Sequence, residues 1–278
     1  MAAKTWFITG SSKGFGREWA IAALERGDSV AATARDTSTL DDLVAKFGDR
    51  ILAQQLDVTD RDAAFATVRA AHERFGRLDV IVNNAGYGQF GMVEELSEAD
   101  LRDQIETNLF GAVWVTQAAL PILREQRSGH ILQVSSIGGI SAFPGIGAYH
   151  ASKWALEGIS QALAQEVESF GIKVTIIEPA GYSTDWSGPS AKRATPLPAY
   201  DQVRDAQKSA PPRQAGPGDP VATRAAVLEI VDAERPPLRV FFGDGPLAIA
   251  RRDYESRLAT WADWERLSVR AHGDLPLN

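Results

Sequence analysis

An α/β chain built on a parallel sheet with helices on both faces is what the sequence predicts, and three observations carry that reading. Apolar β-type runs alternate with helical patterns along the 278 residues. The motifs that could carry chemistry fall where those strands would end, and neither an internal repeat nor a long linker divides the chain. Such alternation with right-handed crossovers gives parallel order, with ligands bound beyond the carboxyl ends of the strands. A composition of 44% hydrophobic and 23% charged residues suits one domain of Rossmann type with about seven strands, spanning 1–278.

The first strand is predicted over 5–9, where Thr5-Trp-Phe-Ile-Thr9 is rich in β-formers. It runs into Gly10-Ser11-Ser12-Lys13-Gly14-Phe15-Gly16 and then an amphipathic stretch from Arg17 to Arg26, giving strand, glycine loop and helix. Glycines let the backbone turn tightly against a ligand, and the helix N-terminus offers free N–H groups to a pyrophosphate. The Gly-x-x-x-Gly-x-Gly spacing differs from the Gly-x-Gly-x-x-Gly dinucleotide fingerprint. Further strands are expected near 29–34, 51–56, 78–82, 130–135, 172–178 and 238–242, with helices between them. The second ends at Ala34 before Arg35, the third before Asp57-Val58, and the fourth before Asn83-Asn84-Ala85-Gly86. Residues 183–220 hold seven of the fourteen prolines, with Gly188, Gly216 and Gly218, and are predicted to form a loop or lid. After the last strand, a helix over 246–270 places Tyr254, Trp261 and Trp264 on one face, expected to pack on the core or on a sister subunit.

Composition excludes several functions. A net charge of −7 argues against a nucleic-acid surface. Zero cysteines remove thiolate chemistry, and the four histidines show no ligand spacing, so no metal is expected. No run approaches the length of a membrane span, and a first strand beginning at Thr5 leaves no room for a signal peptide; a cytoplasmic protein is expected.

Tyr149 and Lys153, in Tyr-His-Ala-Ser-Lys, stand four apart and share a helix face. Bringing a phenol from pKa ~10 into use near neutrality takes about 3 units, or about 4 kcal/mol. A cation at about 4 Å in an effective dielectric of about 20 supplies about 4 kcal/mol before desolvation, so the pairing is adequate for acid–base work.

Thr9-Gly-x-x-x-Gly-x-Gly16, Asn83-Asn84-Ala85-Gly86, Ser136 and Tyr149-x-x-x-Lys153, in that order, resemble the short-chain dehydrogenase/reductase family, most specifically over residues 5–185. The resemblance implies that Ser136, Tyr149, Lys153 and Asn108 are catalytic. Ser136 donates to a substrate oxygen, Tyr149 is the general acid or base, Lys153 lowers its pKa and bonds the nicotinamide ribose, and Asn108 positions a relay water. Ser135 competes with Ser136 for the serine role. The same resemblance implies a cofactor site made of Gly10, Ser12, Lys13, Gly14, Phe15, Gly16, Asp57, Val58, Asn84, Ala85, Gly86, Tyr149, Lys153, Pro179, Gly181 and Thr184. Asp57 would bond the adenine amino group, although a cap on the following turn looks the same. Thr184 would hold the carboxamide. Pro179-Ala180-Gly181-Tyr-Ser-Thr184 departs from the family's Pro-Gly start, and Gly181 is expected to take over the special dihedral.

At the end of the second strand an acidic residue would favour NAD, whereas Arg35, with Lys13 in the glycine loop, favours the 2′-phosphate of NADP(H). Phe90, Phe143, Tyr182, Trp186 and Tyr200 fall in loops beyond strand ends and predict an apolar pocket for a medium-to-large ketone, aldehyde or alcohol. Lys192 and Arg193 are the cations near it. The resemblance also implies a homo-oligomer, dimer or tetramer, through helices over 98–126 and 149–170. Alternatives on this fold are an NAD-linked alcohol dehydrogenase, an epimerase or dehydratase, and a non-enzymatic dinucleotide-binding regulator. The last has no use for the full proton-transfer set.

Overall fold

The computed structural model describes residues 3–209 and 216–273. β1 (Thr5–Ile8) is buried throughout, with Trp6 and Ile8 in one core and Phe7 in the other, as the two-residue period of a strand between two helical layers requires. α1 (Gly14–Arg26) ends at Gly27, whose φ of 101° is left-handed. β2 (Ser29–Ala34), α2 (Asp41–Phe47) and β3 (Ile51–Gln55) follow. Asp60 caps α3 (Arg61–Phe75) by accepting from the Ala63 N–H at 2.9 Å. β4 (Val80–Asn83) leads to the short β5 (Gln89–Phe90). α4 (Glu98–Ile105) begins in a capping box between Ser97 and Asp100 and runs through a π turn (Glu106–Phe110) into α5 (Gly111–Gln126). β6 (Gly129–Val134), α6 (Gly147–Val167) and β7 (Ile172–Pro179) complete the second half, before β8 (Lys192–Arg193), α7 (Asp201–Lys208), α8 (Thr223–Asp232), β9 (Arg239–Phe242), α9 (Pro246–Asp263) and α10 (Glu265–Ala271).

Seven strands form one sheet in the order β3-β2-β1-β4-β6-β7-β9, every neighbouring pair parallel. The winding reverses between β1 and β4, and the crevice beyond their carboxyl ends is where such sheets bind ligands. α1, α2 and α8 cover one face around Trp19, Leu43 and Val227; α3, α5 and α6 cover the other around Val68, Leu123 and Leu163. All seven predicted strands are present within two residues at each end.

Two expectations are corrected. Residues 183–220 are not bare loop: β8 pairs with β5, α7 lies on the surface, and Lys192–Asp103 (2.9 Å) and Arg204–Glu95 (2.6 Å) tie the segment down. Residues 210–215 of that segment lie outside the described residues. The C-terminal helix breaks at Trp264, and Tyr254, Trp261 and Trp264 stand 48%, 61% and 61% exposed, so their face does not pack on the core. No helix among the described residues is long and apolar enough to cross a membrane, and no described group of His, Asp and Glu is arranged to hold a metal.

Candidate active site

A cleft of about 1100 Å³ opens at the carboxyl ends of β1, β2, β4, β6 and β7. Every predicted site residue lines it except Gly16, Asn108 and Phe90, which stand immediately behind its wall, and Tyr200, which is elsewhere.

The glycine loop owes its course to two left-handed glycines and one close approach. Gly10 and Gly14 have φ of 68° and 57°. A Cβ on Gly16 would meet the Gly10 carbonyl oxygen at 2.4 Å and Asn84 Nδ2 at 2.5 Å. Asn84 in turn donates to the carbonyls of Thr9 (2.9 Å) and Gly10 (3.1 Å), so the predicted Asn84 is a structural tie between β4 and the loop. Thr9 contributes a role its sequence position did not reveal: its Oγ1 accepts from the N–H groups of both Asn84 and Ala85. No side chain caps the N-terminus of α1, which leaves its first N–H groups free to face an anion. These features, an uncapped helix end and a backbone cradle with left-handed Gly10 and Gly14 and no room for a Cβ on Gly16, fit the pyrophosphate of a dinucleotide.

At the adenosine end, Arg35 lines the cleft, while Asp36 is directed away and caps its own turn by accepting from the Ser38 N–H (3.0 Å) and hydroxyl (2.8 Å). Lys13 is paired with Asp185 at 2.9 Å, each about half exposed, which links the glycine loop to the 183–220 segment. Asp57 accepts from the N–H (3.0 Å) and hydroxyl (2.8 Å) of Thr59, so its carboxylate serves as the turn cap while still lining the cleft. Gly181 does not take a positive φ; the Ala180 N–H simply extends the β7–β9 ladder to the Phe242 carbonyl (2.8 Å), and no special dihedral is needed there. Thr184 faces Gly14 across the cleft, 3.6 Å from where a Cβ on that glycine would lie.

At the inner end, Ser136 follows β6 and Tyr149 and Lys153 share one face of α6, all three on the cleft wall. Ser135 also lines the cleft, but its hydroxyl lies 2.6 Å from a Cβ built on Gly139, on the side of Glu157. Lys153 Nζ donates to the Val134 carbonyl at 2.7 Å and lies 5.8 Å from the centroid of the Tyr149 ring. Burial pushes Tyr149 up to about 12, with the Ser136 hydroxyl pulling back against it. Lys153 is itself pushed down to about 8 by burial, opposed by the charge of Glu157. Asn108 sits in the π turn, buried, where Oδ1 accepts from the Tyr87 N–H (3.1 Å) and Nδ2 donates to the Tyr87 carbonyl (3.0 Å). It stands behind the cleft wall at Tyr87 and at Gly86, on which a Cβ would lie 3.0 Å from Asn108 Oδ1 and 3.8 Å from Lys153 Nζ.

Above the phenol, Trp186 packs edge-on to Tyr149 (centroids 4.8 Å) and tilts against Phe90 (5.4 Å). Phe143 meets His150 edge-on at 5.4 Å. Tyr182 is on the other side, edge-on to Phe15 at 4.9 Å and packed on the core, so it braces the glycine loop. Tyr200 donates to Glu94 at the surface and does not reach the cleft, because the turn at 198–200 carries it outward. His150, dismissed from spacing alone, lines the cleft and orders it: Nε2 accepts from the Phe143 N–H (2.8 Å), so Nδ1 carries the proton donated to the Gly138 carbonyl (2.8 Å).

Comparison with known proteins agrees with this geometry. Residues 4–194 match the family described as short chain dehydrogenase. Oxidoreductase BOA17 of Botryotinia fuckeliana is 45% identical over 269 residues, 96% of this chain and 98% of that protein. A short-chain dehydrogenase from Streptomyces avermitilis superposes with a TM-score of 0.90 at 41% identity, covering 99% of this chain and all of that one. An alcohol dehydrogenase from Thermococcus sibiricus, solved in complex with 5-hydroxy-NADP, has a TM-score of 0.73 at 26% identity over 87% of this chain and 96% of that one.

Proposed function

The chain belongs to the short chain dehydrogenase family and is an oxidoreductase; from that premise we propose that it is an NADP(H)-dependent carbonyl reductase or alcohol dehydrogenase acting on a medium-to-large apolar substrate. The observation that carries the reading is the inner end of the cleft, where Ser136, Tyr149 and Lys153 share one wall beneath Trp186. The bound cofactor would supply the hydride and, when oxidised, a positive charge that favours the phenolate. Tyr149 passes its proton to the substrate oxygen in reduction and recovers it in oxidation, and Ser136 donates a hydrogen bond to the same oxygen. Lys153 would hold the nicotinamide ribose, Thr184 the carboxamide, and Asn108 a relay water reached past Gly86.

Arg35 at the end of β2 and Lys13 in the loop support the 2′-phosphate, and Asp36 caps its own turn through Oδ1 and does not line the cleft. Trp186, Phe143 and Ile146 on the cleft wall support an apolar substrate. The reading includes a homo-oligomer, since Leu101, Phe110, Trp154 and Ile159 on α4, the π turn and α6 leave apolar surface exposed.

The test is consumption of NADPH against a panel of apolar ketones and aldehydes. Tyr149→Phe is expected to lose about a hundredfold to ten-thousandfold in rate while still binding NADPH. Turnover at the parent rate in Tyr149→Phe contradicts the proposal.

A further inference from the structure

Behind the reacting residues, α6 extends the same face: Tyr149, Lys153, Glu157 and Gln161 recur every four residues. Glu178 of β7 and Arg239 of β9 reach the lower part of that face. Glu157 and Glu178 are 5% and 1% exposed, and one cation serves both, with Arg239 Nε 2.9 Å from Glu157 Oε2 and 3.5 Å from Glu178 Oε1. Glu157 Oε1 and Glu178 Oε1, both buried, make no regular hydrogen bond, and the Ser135 hydroxyl lies beside Glu157. Two ionised carboxyls would set bare, buried oxygens of like charge beside each other, whereas a single proton between them gives one of those oxygens its donor and removes the repulsion.

The remaining groups fit one proton on Glu178 and one charge on Glu157. Glu157 is nearer Arg239 and stands one helical turn from Lys153. Burial first, then the charge of Glu157, pushes Glu178 up to about 8, with Arg239 opposing. The groups that face Lys153 are the Val134 carbonyl of β6, Tyr149 and Glu157 of its own helix, and Gly86 with Asn108 behind it. Among them only Glu157 carries an opposite charge. Those that face Glu157 are Lys153, Ser135, Glu178 and Arg239, whose second arm donates to Gln161 at 2.9 Å.

We propose that Glu157 and Glu178 form a proton-sharing carboxyl pair that keeps Lys153 a cation. They are thereby positioning residues for proton transfer at Tyr149, and this inference rests on the role proposed for that tyrosine. Glu157 supplies the charge, Glu178 stores the proton, and Arg239 closes the pair from solvent. No atom of the pair touches substrate or cofactor.

The test uses the full chain labelled with 13C at the glutamate carboxyl and the lysine ε-carbon, titrated by NMR. The parent is expected to keep one glutamate carboxyl protonated at neutral pH, with that signal lost in Glu178→Gln. The Lys153 signal, assigned by its loss in Lys153→Arg, is expected to titrate at lower pH in Glu157→Gln. In Glu178→Gln it should titrate no higher than in the parent, because Glu157 already carries the charge and the amide cannot add a second one. A large downward shift in Glu157→Gln without an equal one in Glu178→Gln distinguishes this role from simple packing, and the carboxyl signal in Glu178→Gln alone decides if Glu157→Gln does not fold. Full ionisation of every glutamate at neutral pH, or an unmoved Lys153 midpoint in Glu157→Gln, overturns the proposal. Tyr149→Phe should leave both signatures in place, so failure of the reductase reading would show as turnover in that variant with the carboxyl and lysine titrations unchanged.

Discussion

Tyr149 shows what a single residue's neighbourhood adds to its spacing. Four-residue separation correctly pairs it with Lys153, but spacing cannot report depth, and depth decides the sign of the effect: burial pushes the phenol up to about 12, while the Val134 carbonyl takes the lysine's hydrogen bond. With no nucleotide added, the ultraviolet difference between the parent and Tyr149→Phe is therefore expected to show phenol ionisation only at strongly alkaline pH; a Tyr149 signal near neutrality would contradict that. The same limit explains the aromatics. Phe143 and Trp186 face the cleft, Tyr182 braces Phe15 and Tyr200 bonds Glu94, yet in sequence all four are aromatic residues in loops. His150 was missed because a buried histidine holding two backbone groups has no spacing signature.

Among elements, the strand–loop–helix unit at the start of the chain was readable because glycine positions and helix onset are local properties. Its tie to Asn84 was less so, since that contact spans more than seventy residues of chain. Gly16→Ala forces a methyl to within 2.4 Å of the Gly10 carbonyl. A loss of about 1–3 kcal/mol of stability, together with loss of nucleotide binding, is expected in urea melts and titrations; a variant as stable as the parent contradicts the packing. The 183–220 segment was legible as proline-rich but not as partly ordered, because two-residue strands and surface ion pairs leave no periodic trace. Its Lys13–Asp185 pair, half exposed, contributes at most about 1 kcal/mol to folding. Asp185→Asn should leave the melting temperature nearly unchanged and, by freeing Lys13, tighten NADPH binding but not NADH binding; weaker NADPH binding would show that the pair holds the loop in its binding form. For α9 and α10, seven-residue spacing aligned Tyr254 with Trp261 but could not say what their face meets, and it meets no core.

For the whole molecule, alternation of strands and helices was enough to set a parallel sheet of about seven strands with ligands beyond their carboxyl ends, whereas the strand order that puts the crevice between β1 and β4 is seen only in the fold. Its electrostatics could not be read that way. Glu178 is raised by burial from 4.5 to about 8, so its protonated form favours the fold at low pH and that contribution is lost as pH rises through this window. His130, lowered from 6.5 to about 3 by burial and then by Lys173 and Lys4, acts in the other sense and costs stability as pH falls through its window. Melting curves of the parent should accordingly decline from mildly acid to pH 8 more steeply than those of Glu178→Gln; parallel curves would contradict the buried, protonated carboxyl.

Fluorescence titration of the protein with NADPH and NADH, with Arg35→Ala alongside, tests the proposed cofactor and hence the orientation of the whole cleft most directly. At least tenfold tighter binding of NADPH, about 1.4 kcal/mol, with the preference erased in Arg35→Ala, is the expected result. Equal or tighter binding of NADH by the parent would contradict the assignment of Arg35 and Lys13 to a 2′-phosphate and leave an NAD-linked alcohol dehydrogenase in its place.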